Sequence, residues 1–147
     1  LLEVRGKGGA MDGVVGYTTE HDVRSEWRVG QQMPAGKRFW ICNGSLILHG
    51  TMIGCNGTTT AFSNIWPAAL HKLLVLGMAN QYAEALELQT HIQKIDAIML
   101  PYQAAGVKAA MNLRGFDGTH PRKPTKAFPE NRLSELESAM RNAKLID

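Results

Sequence analysis

At 147 residues the chain can bury one ordinary hydrophobic core, so a single domain over residues 1–147 is expected. Its composition, 44% hydrophobic and 20% charged, is typical of a soluble globular protein and excludes a disordered chain. The net charge of +3 comes from scattered basic residues, which argues against a nucleic-acid partner. No apolar run approaches the roughly 20 residues of a membrane helix, so no membrane partner is expected.

Two further features of the chain concern its compartment and its start. Cys42 and Cys55 lack the spacing of a metal or CxxC site, which favours reduced thiols in a cytoplasmic protein without bound metal. Residues 1–12 are glycine-rich around Lys7 but lack the spacing of a phosphate-binding loop, so a flexible lead-in is expected. The chain begins with Leu1 and not with Met, from which we expect an N-terminal portion to be absent.

Three short apolar or β-branched runs predict buried strands. They lie at residues 13–19, at 39–42, and within the stretch 54–67. Short helices are predicted between them, at residues 20–30 and 45–51. Strands that alternate with helical stretches indicate parallel βα units.

The stretch 54–67 organises the rest of the chain. Its residues from Thr58 to Phe62 favour an extended conformation, and Pro67 suits the first turn of a helix. Several hydroxyl groups therefore lie at the carboxyl end of the predicted third strand, where α/β proteins usually place their chemistry.

From Trp66 onward the apolar spacing predicts helices. Gly77 is predicted to end the first helix and Asn80 to cap the second. A third helix is predicted to end at Gly115, and the last to begin near Pro129. The predicted core stripes are Leu70, Leu73 and Leu74; Ala85, Leu88, Ile92, Ile95 and Met99; Val107, Ala110 and Met111; and Leu133, Leu136, Met140 and Ala143.

Three parallel strands followed by four helices leave a small sheet with exposed edges. A parallel sheet needs cover on both faces, and curved βα units need further strands in order to close. The residues alone therefore predict an α/β fold that is incomplete, or that another chain completes.

Four motifs, in their order and spacing, resemble the dihydrodipicolinate synthase and N-acetylneuraminate lyase family of pyruvate-dependent class I aldolases. The motifs are Gly57, Thr60, Asn64 and Pro67; Gly77 with Ala83, Ala85, Leu86 and Leu88; Val107-Lys108-Ala109-Ala110 followed by Gly115; and Arg122-Lys123-Pro124. The resemblance implies a (β/α)8 TIM barrel with a C-terminal helical bundle. Residues 1–66 would supply the last three strands and their helices, and residues 67–147 the eighth helix and the bundle.

The resemblance also implies an activity. Family members form a Schiff base between a lysine and a 2-oxo acid such as pyruvate, without a cofactor. In this sequence Thr18 stands where that lysine is expected, and a hydroxyl group cannot form an imine. Gly44 and Thr60 would line the substrate pocket at the barrel mouth. In sialic-acid-type members acidic residues follow the glycine that corresponds to Gly44. In this sequence the residues that follow it are Ser45, Leu46 and Ile47.

Several alternatives remain open at this point. The first hypothesis is an aldolase-family lyase that acts on 2-oxo acids. Thr18 and the missing strands motivate the alternative of a non-catalytic, degenerate barrel that serves as a binding or assembly protein, and residues 66–147 could form a helical interaction domain. His21, beside Glu20 and Asp22, could be a base or a metal ligand, although an exposed loop histidine is the simpler interpretation. The resemblance implies a homo-oligomer, because members of the family usually assemble as oligomers. Exposed sheet edges that need cover predict the same.

Overall fold

A computed structural model describes the backbone of residues 16–19 and all of residues 23–147. The predictions for the glycine-rich lead-in, for residues 13–15 and for His21 lie outside the described residues. Within the described part, no helix is both long and apolar enough to cross a membrane.

The described strands form one parallel sheet. The strands are β1 (Gly16–Thr19), β2 (Arg38–Ile41) and β3 (Gly57–Thr58), in the order β1-β2-β3. All three predicted strand positions and their parallel direction are confirmed.

The third strand is shorter than predicted, and the expectation of extended structure through Phe62 is wrong. Residues Ala61–Asn64 form a 3₁₀ turn, and the Thr60 hydroxyl accepts a hydrogen bond from the Phe62 amide at 3.3 Å. A threonine side chain that bonds to the backbone two residues on competes with strand pairing, so the ladder stops at Thr58.

The described part of the chain contains six helices, most of which pack against one another and not on the sheet. Short 3₁₀ turns precede or follow several of them, at Gly44–Leu46, Leu100–Tyr102 and Glu130–Arg132. The helices are α1 (Val23–Gln31), α2 (Ile47–Met52), α3 (Pro67–Met78), α4 (Tyr82–Met99), α5 (Ala104–Leu113) and α6 (Leu133–Asn142).

Helix α3 begins at Pro67 as predicted. The predictions that Gly77 ends this helix and that Asn80 caps the next one are both wrong. Asn80 does not cap α4. It lies at φ 59°, in the left-handed conformation that closes α3. The Asn80 amide bonds to the Gly77 carbonyl at 3.1 Å, and the Gln81 amide to the Leu76 carbonyl at 2.9 Å. This is the Schellman pattern, for which asparagine is the usual substitute for glycine.

Gly77 lies inside α3 and not at its end. A Cβ at Gly77 would lie 2.2 Å from the Thr51 hydroxyl oxygen, so its lack of a side chain lets α2 and α3 approach closely. Gly115, in contrast, has φ 81° and ends α5 as predicted. The Phe116 amide bonds to the Met111 carbonyl at 3.0 Å, and the Gly115 amide to the Asn112 carbonyl at 2.9 Å.

Two apolar clusters hold these elements together. A small one lies between the sheet and helices α1 and α2, and a large one joins α2 through α6. The small cluster is Phe39, Ile41 and Cys55; the large one includes Ile47, Phe62, Ile65, Leu73, Ile92, Ile95, Met99, Leu136 and Met140. The predicted stripes on α4 and α6 are confirmed as core, except that Leu88 is half-buried and Leu133 is exposed.

Candidate functional site at the carboxyl edge of the sheet

The carboxyl ends of the three parallel strands meet at one edge of the sheet. Thr18 is in register with Trp40, and Trp40 with Gly57; one step further on, Ile41 is in register with Thr58. The loops that leave this edge carry Gly44 after β2 and Thr60 after β3. The fold therefore gathers the segments that hold all three predicted site residues at one edge.

Gly44 and Thr60 are in direct proximity. Gly44 is buried, and a Cβ at this position would lie 3.3 Å from the Thr60 hydroxyl oxygen and 3.8 Å from the Phe62 Cβ. The same Thr60 hydroxyl caps the 3₁₀ turn that follows β3. The two loops thus touch at a point where only hydrogen fits on Gly44 without displacement of Thr60.

Thr18 has a defined backbone position, one residue before the end of β1. Its register partner, Trp40, places it in the same row of the sheet as Gly57. Whether this position corresponds to the Schiff-base lysine of the aldolases stays a prediction.

Trp40 belongs to this edge, although its sequence context predicts only that it is part of a strand. Its indole lies over Gly57, since a Cβ there would come within 2.4 Å of the ring. The Arg38 guanidinium lies 5.9 Å from the centroid of the same ring. The pairing of a tryptophan with a glycine across two strands is invisible until their register is known.

Helix α4 holds the loop that carries Gly44. Gln89 is 3% exposed; its amide nitrogen donates to the Gly44 carbonyl at 2.9 Å, and its amide oxygen accepts from the Leu48 amide at 3.1 Å. Gln89 was not predicted from the sequence as part of the site. Its spacing from Ala85 and Ile92, four and three residues away, matches the core stripe and is the signal that could have found it.

A second set of contacts lies further along α4. Gln93 donates to the Ser45 carbonyl at 3.3 Å, and the Ser45 hydroxyl donates to an Asp96 carboxylate oxygen at 3.3 Å. Burial raises the pKa of Asp96, and the hydrogen bond from Ser45 partly opposes that rise. An acidic group therefore does stand beside the residue after Gly44, supplied by α4 and not by the loop itself.

Three lysines that could in principle act as nucleophiles, Lys37, Lys72 and Lys108, lie away from this edge. Lys37 precedes β2, at the opposite end of the strand. Lys72 on α3 pairs with Glu84 at 3.4 Å. On α5, the Lys108 ammonium donates to the Gly118 carbonyl at 2.6 Å and to the Thr119 hydroxyl at 3.1 Å, where it anchors the loop that follows α5.

A group of ionisable side chains lies on the helix side of the sheet. The His49 imidazole is 4.0 Å from the carboxylate of Glu26, a fully buried residue. Burial raises the pKa of the Cys55 thiol, which donates a hydrogen bond to the Gly57 carbonyl at 2.9 Å. Across the described residues, no three acidic, histidine or cysteine side chains converge as metal ligands would.

The fold and this edge define an α/β protein with a candidate site at the carboxyl ends of its parallel strands. Residues 12–143 match the model of the dihydrodipicolinate synthetase family. The chain belongs to this family, which confirms the resemblance inferred from its motifs.

Individual relatives agree with this assignment. The chain is 31% identical over 127 residues to an uncharacterised DapA-like lyase of Halobacterium salinarum, covering 80% of this chain and 40% of that protein. Dihydrodipicolinate synthase from Thermotoga maritima has a similar fold, with a TM-score of 0.81 at 20% identity over 90% of this chain and 47% of that one. N-acetylneuraminate lyase from Fusobacterium nucleatum gives 0.76 at 21% identity, over 91% and 46%. The chain thus spans less than half the length of these proteins.

Proposed function

We propose that this protein is an aldolase- or lyase-type member of its family that acts on 2-oxo acids such as pyruvate at the carboxyl edge of the sheet. The observation that carries the proposal is the contact between Gly44 and Thr60 at that edge, in a chain that belongs to this family. One of its structural neighbours, the N-acetylneuraminate lyase from Fusobacterium nucleatum, is known in complex with pyruvate.

The proposal includes the completion of the barrel. β1, β2 and β3 would be the last three strands of a (β/α)8 barrel, and helices α4 to α6 its C-terminal bundle. Further strands, from additional chain or from a second molecule, would cover the open edges. The completion of the barrel is supported by the coverage of two structural neighbours, since this chain matches only 46% and 47% of their chains. A cytoplasmic homo-oligomer is part of the same proposal.

The chemistry proposed for the site is constrained by Thr18. An imine requires an uncharged amine near neutral pH, which a family lysine achieves through burial. If Thr18 occupies that position, the edge binds a 2-oxo acid through Gly44 and Thr60 without covalent capture. A binding or assembly protein is therefore the second candidate, and the hydroxyl side chain of Thr18 on β1, in place of an amine, supports it.

Borohydride trapping separates the two candidates. The full-length protein is incubated with pyruvate and borohydride, and its intact mass is measured together with the pyruvate-induced change in melting temperature. A mass gain on a lysine supports the lyase. Stabilisation without a mass gain supports the binding protein. If neither occurs, the proposal of a 2-oxo acid ligand is wrong.

A Thr18→Lys variant tests the position itself. If Thr18 stands in the lysine position, the variant acquires an amine at the site and should gain mass on trapping. Thr19→Lys is the matched control, because neighbouring residues of a strand alternate between the two faces of the sheet. Equal trapping by both variants, or by neither, would contradict the assignment of Thr18.

A further inference from the structure

We propose that Gln89 is a positioning residue for the site: it fixes the loop from Gly44 to Leu48 at the carboxyl edge, and so sets the affinity for the ligand. This inference rests on the proposed function for its ligand. It concerns a residue on helix α4, remote in sequence from the sheet.

The geometry of Gln89 suits this role. The side-chain amide of Gln89 bonds to both ends of the loop. It donates to the Gly44 carbonyl at 2.9 Å and accepts from the Leu48 amide at 3.1 Å. The side chain is 3% exposed, so water does not substitute readily for either bond. Removal of a buried partner leaves the other group unsatisfied, which costs far more than the net strength of the bond.

The backbone partners of Gln89 belong to a short, tight segment. Asn43 caps this segment through a bond from the Ser45 amide to its side-chain oxygen at 2.9 Å. The Leu48 amide lies in the first turn of α2, where amides have no partner within the helix. Gln89 therefore acts as a remote cap, and the helix–loop junction depends on it.

Displacement of Gly44 has a direct consequence at the site. The Thr60 hydroxyl is so near that even one added carbon on Gly44 would meet it at 3.3 Å. A loop released from Gln89 shifts against Thr60 or away from it. Either change alters the relative position of Gly44 and Thr60, the two residues through which the ligand is proposed to bind.

Helix α4 offers its own control residue. Gln93, one turn further on, also bonds to the loop, at the Ser45 carbonyl and 3.3 Å, but its side chain is exposed. Water can replace that bond. The pair Gln89→Met and Gln93→Met therefore removes one buried and one exposed loop contact, with little change in side-chain volume.

The test measures pyruvate affinity of the full-length protein by calorimetry, at a temperature well below the melting transition of every variant. Gln89→Met should weaken binding about 10-fold or more, which corresponds to about 1.4 kcal/mol. Gln93→Met should stay within about 2-fold of the unmodified protein. A purely structural role for Gln89 would lower the melting temperature and leave the affinity of the folded protein unchanged, and that result overturns the proposal.

Hydrogen exchange supplies a second measurement that does not need the ligand. In Gln89→Met, exchange should accelerate at residues 43–48 and remain unchanged in the core of α4 around Ile95. Unchanged exchange at residues 43–48 overturns the proposal whether or not pyruvate binds. If the unmodified protein fails to bind pyruvate while exchange responds as expected, the ligand is wrong and the positioning role stands.

If Gln89→Met fails to fold, hydrogen exchange in the unmodified protein tests the positioning role instead. Bound pyruvate should then slow exchange of the Leu48 amide, because that amide is held by Gln89 at the end of the loop that carries Gly44. Bound pyruvate that leaves this amide unaffected counts against the proposal.

Discussion

At the scale of single residues, the site depends on one close contact between two loops. Gly44 has no side chain, and a Cβ added there would lie 3.3 Å from the Thr60 hydroxyl oxygen, a tight contact. The Thr60 hydroxyl also caps the turn at Ala61–Asn64, so it cannot move without loss of that bond. The two residues should therefore behave as a coupled pair in stability measurements.

A double-mutant cycle on Gly44 and Thr60 measures this coupling. Gly44→Ala should lower the free energy of unfolding by about 1–3 kcal/mol, because the added methyl group crowds Thr60. Thr60→Ala should cost about 0.5–2 kcal/mol through loss of the cap. In the double variant the methyl group gains room, so we expect the total to fall short of the sum by about 0.5 kcal/mol or more. Urea unfolding provides the values, and strict additivity would refute the contact.

At the scale of secondary-structure elements, helix ends decide how the chain turns. Asn80 shows this most clearly: its left-handed backbone closes α3, and α4 then begins two residues later at Tyr82. The Tyr82 hydroxyl donates to the Asn80 side chain at 2.6 Å, which connects the two helices across the turn.

Substitution of Asn80 tests the left-handed turn. Asn80→Ala places a Cβ in an unfavourable left-handed conformation and should cost about 1–2 kcal/mol. Asn80→Gly accepts that conformation freely and should change stability by only a few tenths. Thermal and urea unfolding of the two variants give the comparison. A glycine variant as unstable as the alanine variant would show that the tyrosine contact, and not the backbone, matters here.

Much of this architecture could be predicted from the sequence, because local patterns determine it. Pro67 begins a helix where its fixed φ and missing amide suit the first turn, and Ile92 and Ile95 lie on a core stripe with helical spacing. The parallel direction of the strands followed from their alternation with helices.

The errors all concern partners that are distant in sequence or local bonds that compete with each other. Gly77 was predicted to end a helix, but a glycine is needed there because the Thr51 side chain of another helix packs against it. Asn80 suits both ends of a helix by composition, and only the bonds to Gly77 and Leu76 decide between them. Gln89 and Trp40 remained unnoticed because their partners, Gly44 and Gly57, become neighbours only in the folded chain.

At the scale of the whole molecule, α4 is the element that joins the rest. It packs against α2, α3, α5 and α6, and its polar side chains reach the loop after β2. The ionisation of Asp96 on this helix is therefore linked to the unfolding of the entire structure. Burial raises its pKa, so the folded protein binds a proton there more readily than the unfolded chain does.

This linkage predicts a pH dependence of stability. The contribution of Asp96 is most favourable below its unfolded pKa of 3.8 and is lost as the pH rises through the higher pKa of the folded state. Asp96→Asn should therefore be more stable than the unmodified protein at pH 7, with an advantage that shrinks toward pH 4. Ser45→Ala removes the bond that opposes the shift and should steepen the loss. Melting temperatures across this pH range give the answer, and a difference independent of pH would contradict it.

The bond between Gln89 and Gly44 spans 45 residues of sequence, which orders events during biosynthesis. The ribosome adds roughly 5–20 residues per second, so several seconds separate the synthesis of the loop from that of its partner. During this interval the loop has been synthesised but the helix that holds it has not. The geometry of the mouth is consequently among the later features of the chain to be established, after the strands that surround it have already been made.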